Sequence, residues 1–128
     1  EGNTICTYDF LDASEDLSTS IKEGIRFVAP EFVSKSTTTQ QDWAVRFKEK
    51  YNRNPRYTDA YAYDMFNLIL QASKKVQDFS NAKEWETALK SIDVNGITGR
   101  IKLDASGDLE PSLDVVYYQN DKLVVDVE

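Results

Sequence analysis

The sequence predicts a mixed α/β chain with the element order β-β-α-α-α-β-β-β, three helices and about five short strands. Three observations carry this. Two runs rich in β-branched and aromatic residues, "TICTY" (4–8) and "GIRFVAP" (24–30), open the chain. Its middle repeats apolar residues at helical spacing. After "NGITG" the pattern turns to short strands, "RIKLD", "LDVVYYQ" and "KLVVDV". At 128 residues the chain has the size of one ordinary domain.

Asp9 and Phe10 lead out of the first strand into the polar stretch "LDASEDLSTS". Pro30 closes the second strand, because proline has no amide hydrogen to give a sheet ladder. The hydroxyl-rich "SKSTTTQQ" offers helix N-caps. Trp43, Phe47 and Tyr51 recur every four residues, which predicts a helix over about 39–51. Asn52 suits a left-handed C-cap, and Pro55 stops the helix from continuing. A second helix is expected over about 58–76. Tyr61, Met65, Leu68, Ile69, Ala72 and Val76 give its stripe, and Ala62, Phe66 and Leu70 widen it, so it should pack on more than one side. The third, about 82–91, has Asn81 and Glu84 at capping-box spacing and Trp85, Ala88, Leu89 and Ile92 on its apolar face. "QNDK" is a turn signal, so 113–127 reads as a hairpin.

Composition narrows the function. A formal net charge of −7 repels nucleic acid and anionic lipid. No apolar run approaches the roughly 18 residues of a membrane span. "EGNTICTYDF" has neither the basic start nor the apolar stretch of a signal peptide, and a chain beginning at Glu1 is expected to be a processed or truncated product. Cys6 is the single cysteine, expected as a small buried strand residue rather than a disulfide partner.

Catalytic equipment is sparse. Histidine is absent, which removes the usual neutral-pH base and the commonest zinc ligand. The sequence has no G-x-S-x-G elbow and no glycine-rich phosphate loop. Among 22 acidic residues no carboxylate pair stands out as a glycosidase pair. Asp59 and Asp64 read as helix-dipole partners, and Tyr57, Tyr61 and Tyr63, which cannot share one helix face, as core or rim residues. In "TGRIKLDASGD" the oxygens of Asp104, Ser106 and Asp108 match the first three ligand positions of a helix–loop–helix calcium loop. Leu109 and Val115 then stand where that loop needs its glycine and its bidentate glutamate, so the segment reads as a glycine turn with no metal.

Three stretches in order, "KEGIRFVAPEF", "KYNRNPRYTDAYAYDMFNLILQA" and "NGITGRIKLDASGDLEPSLDVVYYQNDKLV", resemble the C-terminal part of branched-chain amino-acid-type (Leu/Ile/Val-binding-like) substrate-binding proteins of ABC importers. Asn52 stands where that family usually has glycine, and Leu103 where it usually has phenylalanine. The resemblance covers roughly residues 4 to 125. It implies the C-terminal portion of a periplasmic-binding-protein type I fold, two α/β lobes with ligand held in the cleft between them. On that basis residues 1–30 belong to the C-lobe side, 31–97 supply helices of the other lobe, and 98–128 form a crossing strand and the terminal hairpin.

The resemblance implies an extracytoplasmic solute-binding component, periplasmic or membrane-anchored outside the cell. It would bind an amino acid or similar small polar metabolite without a cofactor and deliver it to an ABC permease through its full-length parent. A ligand-sensing receptor module of the same fold is the alternative, and an independent enzyme a third reading. By position Asp9 is the candidate partner of a ligand ammonium, with Tyr8 and Phe10 flanking it, since charge-assisted hydrogen bonds are the strong ones. The N-terminal half is expected to be missing, leaving exposed edges through which the fragment could self-associate.

Overall fold

A computed structural model of the chain describes residues 5–109 and 111–126, with Ile5 described by its backbone alone. The residues form two compact units. The first joins Glu1–Thr37 to Ser112–Glu128, and the second is Thr38–Pro111. Where the sequence reading set boundaries near 30 and 97, the contacts group 31–37 with the sheet and 98–111 with the helices.

The first unit is a four-stranded sheet of order β1-β2-β5-β6. Its strands are β1 (Ile5–Cys6), β2 (Arg26–Pro30), β5 (Leu113–Gln119) and β6 (Lys122–Val125); β3 and β4 belong to the second unit. β1 pairs parallel with β2, and the other two pairings are antiparallel. Period-two alternation sends Phe27, Ala29 and Val116 into a core completed by Cys6, Phe10, Leu11, Tyr118, Leu123 and Val125. Cys6 is half-buried at its margin. The hairpin turns on Asn120 and Asp121, with φ of 51° and 65°. Two residues with positive φ are what a two-residue primed turn demands. Val127, the last residue of the expected hairpin, lies outside the described residues.

Three single-turn helices join this unit: α1 (Phe10–Ala13), α2 (Thr19–Lys22) and α3 (Glu31–Ser34), with a 3-10 turn over Ser14–Asp16. The sequence reading placed no helix in either stretch, because segments this short show no periodicity. Tertiary bonds hold two of them. Ser14 Oγ pairs with Tyr118 Oη at 2.8 Å, and Glu31 N–H donates to the Ser112 carbonyl at 2.9 Å.

The second unit holds α4 (Thr38–Tyr51), α5 (Tyr57–Ser73), α6 (Ala82–Lys90) and a two-stranded ribbon of β3 (Asp93–Asn95) and β4 (Arg100–Lys102). On α4 the four-residue spacing stacks Trp43 on Phe47 and Phe47 on Tyr51 at 5.4 and 4.6 Å between centroids. Asn52, at φ 54°, ends the helix in the left-handed conformation expected of it. Asn81 caps α6 by accepting from Lys83 and Glu84 amides. Glu84 does not close a capping box; its carboxylate accepts instead from the Gln77 and Asp78 amides.

The inward stripe of α5 keeps Leu68 and Ala72 of the expected one and departs from it elsewhere. Ala60, Asp64, Leu68 and Ala72 are buried, whereas Met65, Phe66, Ile69 and Leu70 face outward. Asp64 sets this rotation. It is 2% exposed, too deep for a surface dipole partner, and its oxygens receive Ile97 N–H at 2.9 Å, Thr98 N–H at 2.6 Å and the Thr98 hydroxyl at 2.7 Å. A buried carboxylate is tolerated when its oxygens are satisfied in this way. Gly96 packs beside it, and a Cβ there would stand 2.5 Å from both Asp64 Oδ2 and Ile101 Cδ1.

Asp64→Ala should therefore cost about 3 kcal/mol or more, since it strands two inward-facing amides. Gly96→Ala should cost about 1–3 kcal/mol by overpacking. Both are read as lower urea midpoints. A second expectation concerns pH. Hydrogen bonds from the Arg53 guanidinium hold the Asp59 carboxyl below its usual range, against the cost of partial burial and with help from the Arg56 amide. A depressed folded-state value stabilises the fold above the unfolded aspartate pKa of about 4, and that contribution is lost as pH falls through the folded value. Asp59→Asn should flatten the acid limb of a Tm-against-pH curve below about pH 4, which calorimetry across that range would measure.

Candidate functional site

The expected site residues occupy one turn between β1 and α1. Asp9 is the N-cap residue of α1, yet its side chain makes no capping bond. Its carboxylate accepts the Thr7 hydroxyl at 3.2 Å and is otherwise directed to solvent, with Tyr8 45% exposed beside it. Phe10 faces the opposite way. Its ring meets Phe27 edge-on at 5.2 Å and Tyr118 at 6.4 Å. An aromatic ring packed in the sheet core thus adjoins an exposed carboxylate and an exposed tyrosine.

This turn follows the carboxyl end of β1, which runs parallel to β2. In open α/β sheets ligands settle outside the carboxyl ends of parallel strands. β2 runs at its own carboxyl end into α3, where a polar network gathers that the sequence reading missed. Ser34 Oγ donates to Asp114 at 2.6 Å, and Lys35 Nζ reaches both Asp114 and Glu31. The Ser34 hydroxyl, and then Lys35, hold the Asp114 carboxyl below its usual range. Residues so far apart in sequence gave no local signal of this; only the β2–β5 register, which opposes Pro30 to Leu113, brings them together.

Within the second unit an open groove of about 540 Å³ lies between α4 and α5, walled by Trp43, Phe47, Tyr51, Tyr63 and Phe66. Arg53 and Asp59 in its wall neutralise each other. Its aromatic walls are edged by Arg46 and Lys50 as well, with Lys50 Nζ 5.2 Å from the centroid of the Tyr51 ring.

The "TGRIKLDASGD" segment resolves as a turn. Asp104 Oδ1 accepts Gly107 N–H at 2.8 Å and Asp108 N–H at 2.9 Å, and Gly107 adopts φ 94°. Lys90 donates to the Ala105 carbonyl at 2.7 Å. The carboxylate is spent on backbone amides, as an Asx turn requires. Among the described residues no cluster of three or more acidic or cysteine side chains could hold a metal ion, and no helix is long and apolar enough to cross a membrane.

A family described as "Receptor family ligand binding region" matches residues 8–121. No curated protein matches the sequence. The fold is similar to an ABC transporter substrate-binding protein from Desulfitobacterium hafniense in complex with Leu, at 19% identity and a TM-score of 0.75, over 94% of this chain and 34% of that one. It is also similar to the branched-chain amino acid transporter substrate-binding protein of Streptococcus pneumoniae in complex with isoleucine, at 21% identity and a TM-score of 0.76, over 96% and 36%. A solute-binding protein of an ABC transporter from R. palustris in complex with benzoate matches at 22% identity and 0.67, over 81% and 29%. The chain spans about a third of the length of the solved structures it matches.

Calcium is the test of the turn assignment. Millimolar calcium should leave the melting temperature unchanged, and Asp104→Asn, which keeps the accepting oxygen, should retain most of the stability. A calcium-dependent rise in Tm abolished by that substitution would restore the metal reading.

Proposed function

We propose, from the premise that this chain belongs to the receptor family of ligand-binding regions, that its full-length parent is a non-enzymatic, extracytoplasmic binding protein for a small polar metabolite, an amino acid above all. The observation that carries this reading is the family match across residues 8–121. The turn supports it in detail: Asp9 is exposed at the carboxyl end of β1 and its carboxylate is not used as a helix cap. Among the ligands of the similar structures, leucine and isoleucine carry an ammonium and benzoate does not. A carboxylate at this position favours the ammonium-bearing class, because a ligand with a carboxylate and no ammonium would meet like charge.

In this reading Asp9 receives the ligand ammonium, Tyr8 borders the ligand, and Phe10 fixes the turn that presents both. Ligand bridging two lobes favours their closed arrangement by its differential affinity. An ABC permease is then the partner that takes up the closed form. The family's description as a receptor region favours a second reading, a sensory module with the same binding chemistry. A transmembrane or signalling segment adjoining this chain in its parent would select that reading.

The experiment is a thermal-shift screen of the full-length parent with amino acids. A ligand present at 100 times its Kd stabilises by about 2.7 kcal/mol, well within detection. No shift with any amino acid would overturn the amino-acid reading. Asp9→Asn should weaken amine-bearing ligands by roughly 10- to 100-fold, the worth of a charged hydrogen bond. Binding of ligands without an amine should be unchanged.

A further inference from the structure

The groove between α4 and α5 runs against the charge of the chain that holds it. The formal net charge is −7, yet Arg46, Lys50 and Arg53 line this groove against a single acidic residue, Asp59. Asp59 is taken up by Arg53, whose two terminal nitrogens each donate to a carboxylate oxygen at 2.7 Å. Arg46 and Lys50 have no acidic partner among the described residues. Asp42 and Glu49, the acidic residues of α4, do not line the groove.

Helix geometry produces the arrangement. Trp43, Phe47 and Tyr51 recur every four residues and make one row along α4. Arg46 and Lys50, at the same spacing, make the row beside it. From α5 come the exposed Tyr63 and Phe66, with Ala62, whose methyl group takes up little of the space. Trp43 and Tyr63 meet at 5.7 Å between centroids, tilted by 55°. Cations already lie over two of the rings, Arg53 over Phe47 at 4.8 Å and Lys50 over Tyr51.

These features select a class of ligand. A volume of about 540 Å³ with aromatic walls and a few charged groups is the build of a small-molecule site. Tilted aromatic faces take a flat ring by stacking or edge contact. Two unpaired cations along one edge attract an anion and repel an amine.

We propose that the α4–α5 groove is a ligand site for a small aromatic carboxylate, its ring among Trp43, Phe47, Tyr63 and Phe66 and its carboxylate at Arg46 and Lys50. The groove is lined wholly by the second unit and uses none of Tyr8, Asp9 and Phe10. It therefore stands or falls apart from the amino-acid reading.

The test follows by NMR the two indole N–H signals of the 128-residue chain, Trp43 in the groove and Trp85 on α6 as the internal control. The probe is phenylacetate. It is compared with phenethylamine, an aromatic ring bearing an ammonium, and with acetate, the anion without a ring. Phenylacetate should shift Trp43 and leave Trp85 in place, and the other two should shift neither. Arg46→Gln combined with Lys50→Gln should weaken phenylacetate by about 5- to 10-fold, the worth of two exposed charge pairs. Both side chains are exposed, so this variant should keep the Tm of the unsubstituted chain. Ala62→Phe, which fills the groove, should abolish the Trp43 shift. A Trp43 signal unmoved by phenylacetate overturns the proposal. Equal binding of phenethylamine, or an affinity untouched by the double substitution, overturns it as well, since either leaves an apolar contact with no selection by charge.

Discussion

The second unit depends on where one carboxylate is buried. Asp64 sits on the inner face of α5, and its oxygens take the amides of Ile97 and Thr98 and the Thr98 hydroxyl. Those bonds fix the loop that joins β3 to β4, and the missing side chain of Gly96 lets the loop approach Asp64 closely. Ile101 follows on β4 and closes a core with Leu68 and Ile92. The rotation of α5 follows from the same contact. A carboxylate must face its donors, and so Leu68 and Ala72, at the same helical phase, face inward as well. Met65 and Ile69, though larger and more apolar, are turned out.

That constraint also marks the limit of what the sequence could reveal. The three long helices, the aromatic ladder on α4, the left-handed Asn52 and the hairpin at Asn120–Asp121 were all legible, because each is set by neighbours in sequence. The inner face of α5 was legible at Leu68 and Ala72 but not at Asp64. Apolar counting favours Met65 and Ile69, and only a partner some thirty residues away gives Asp64 a reason to be inside. The one-turn helices α1 and α3 were hidden for the same reason. Their bonds run to Tyr118 and Ser112 at the far end of the chain. At the candidate site the sequence identified the residues of the turn but not their orientations. The division between Phe10 inside and Asp9 outside depends on Phe27 and Tyr118, which no local pattern links to it.

Two short strings within the three stretches that carry the family resemblance have a shared physical basis. "AYD" supplies the acceptor and "NGITG" the donors, the small residue and the flexible one, with Gly99 at φ 110°. Either motif alone is a common string; together they describe one contact. The "LDASGD" turn that follows belongs to the same economy, its acidic side chain spent on its own backbone. Acidic residues here serve three separate ends: Asp64 and Asp104 organise loops, Asp59 and Asp114 pair with basic or hydroxyl groups, and Asp9 is left facing outward.

The antiparallel pairing of β2 with β5 has a kinetic consequence. Pro30 and Leu113 oppose each other in register, yet the whole of Thr38–Pro111 lies between them in the chain. Closing so long a loop in a disordered chain is slow, because its entropy is lost before the ladder forms. If Thr38–Pro111 folds first, its own contacts shorten that loop to the few residues on either side. The sheet of the first unit should then be the late event in folding, waiting for the inserted helices to draw its strands together.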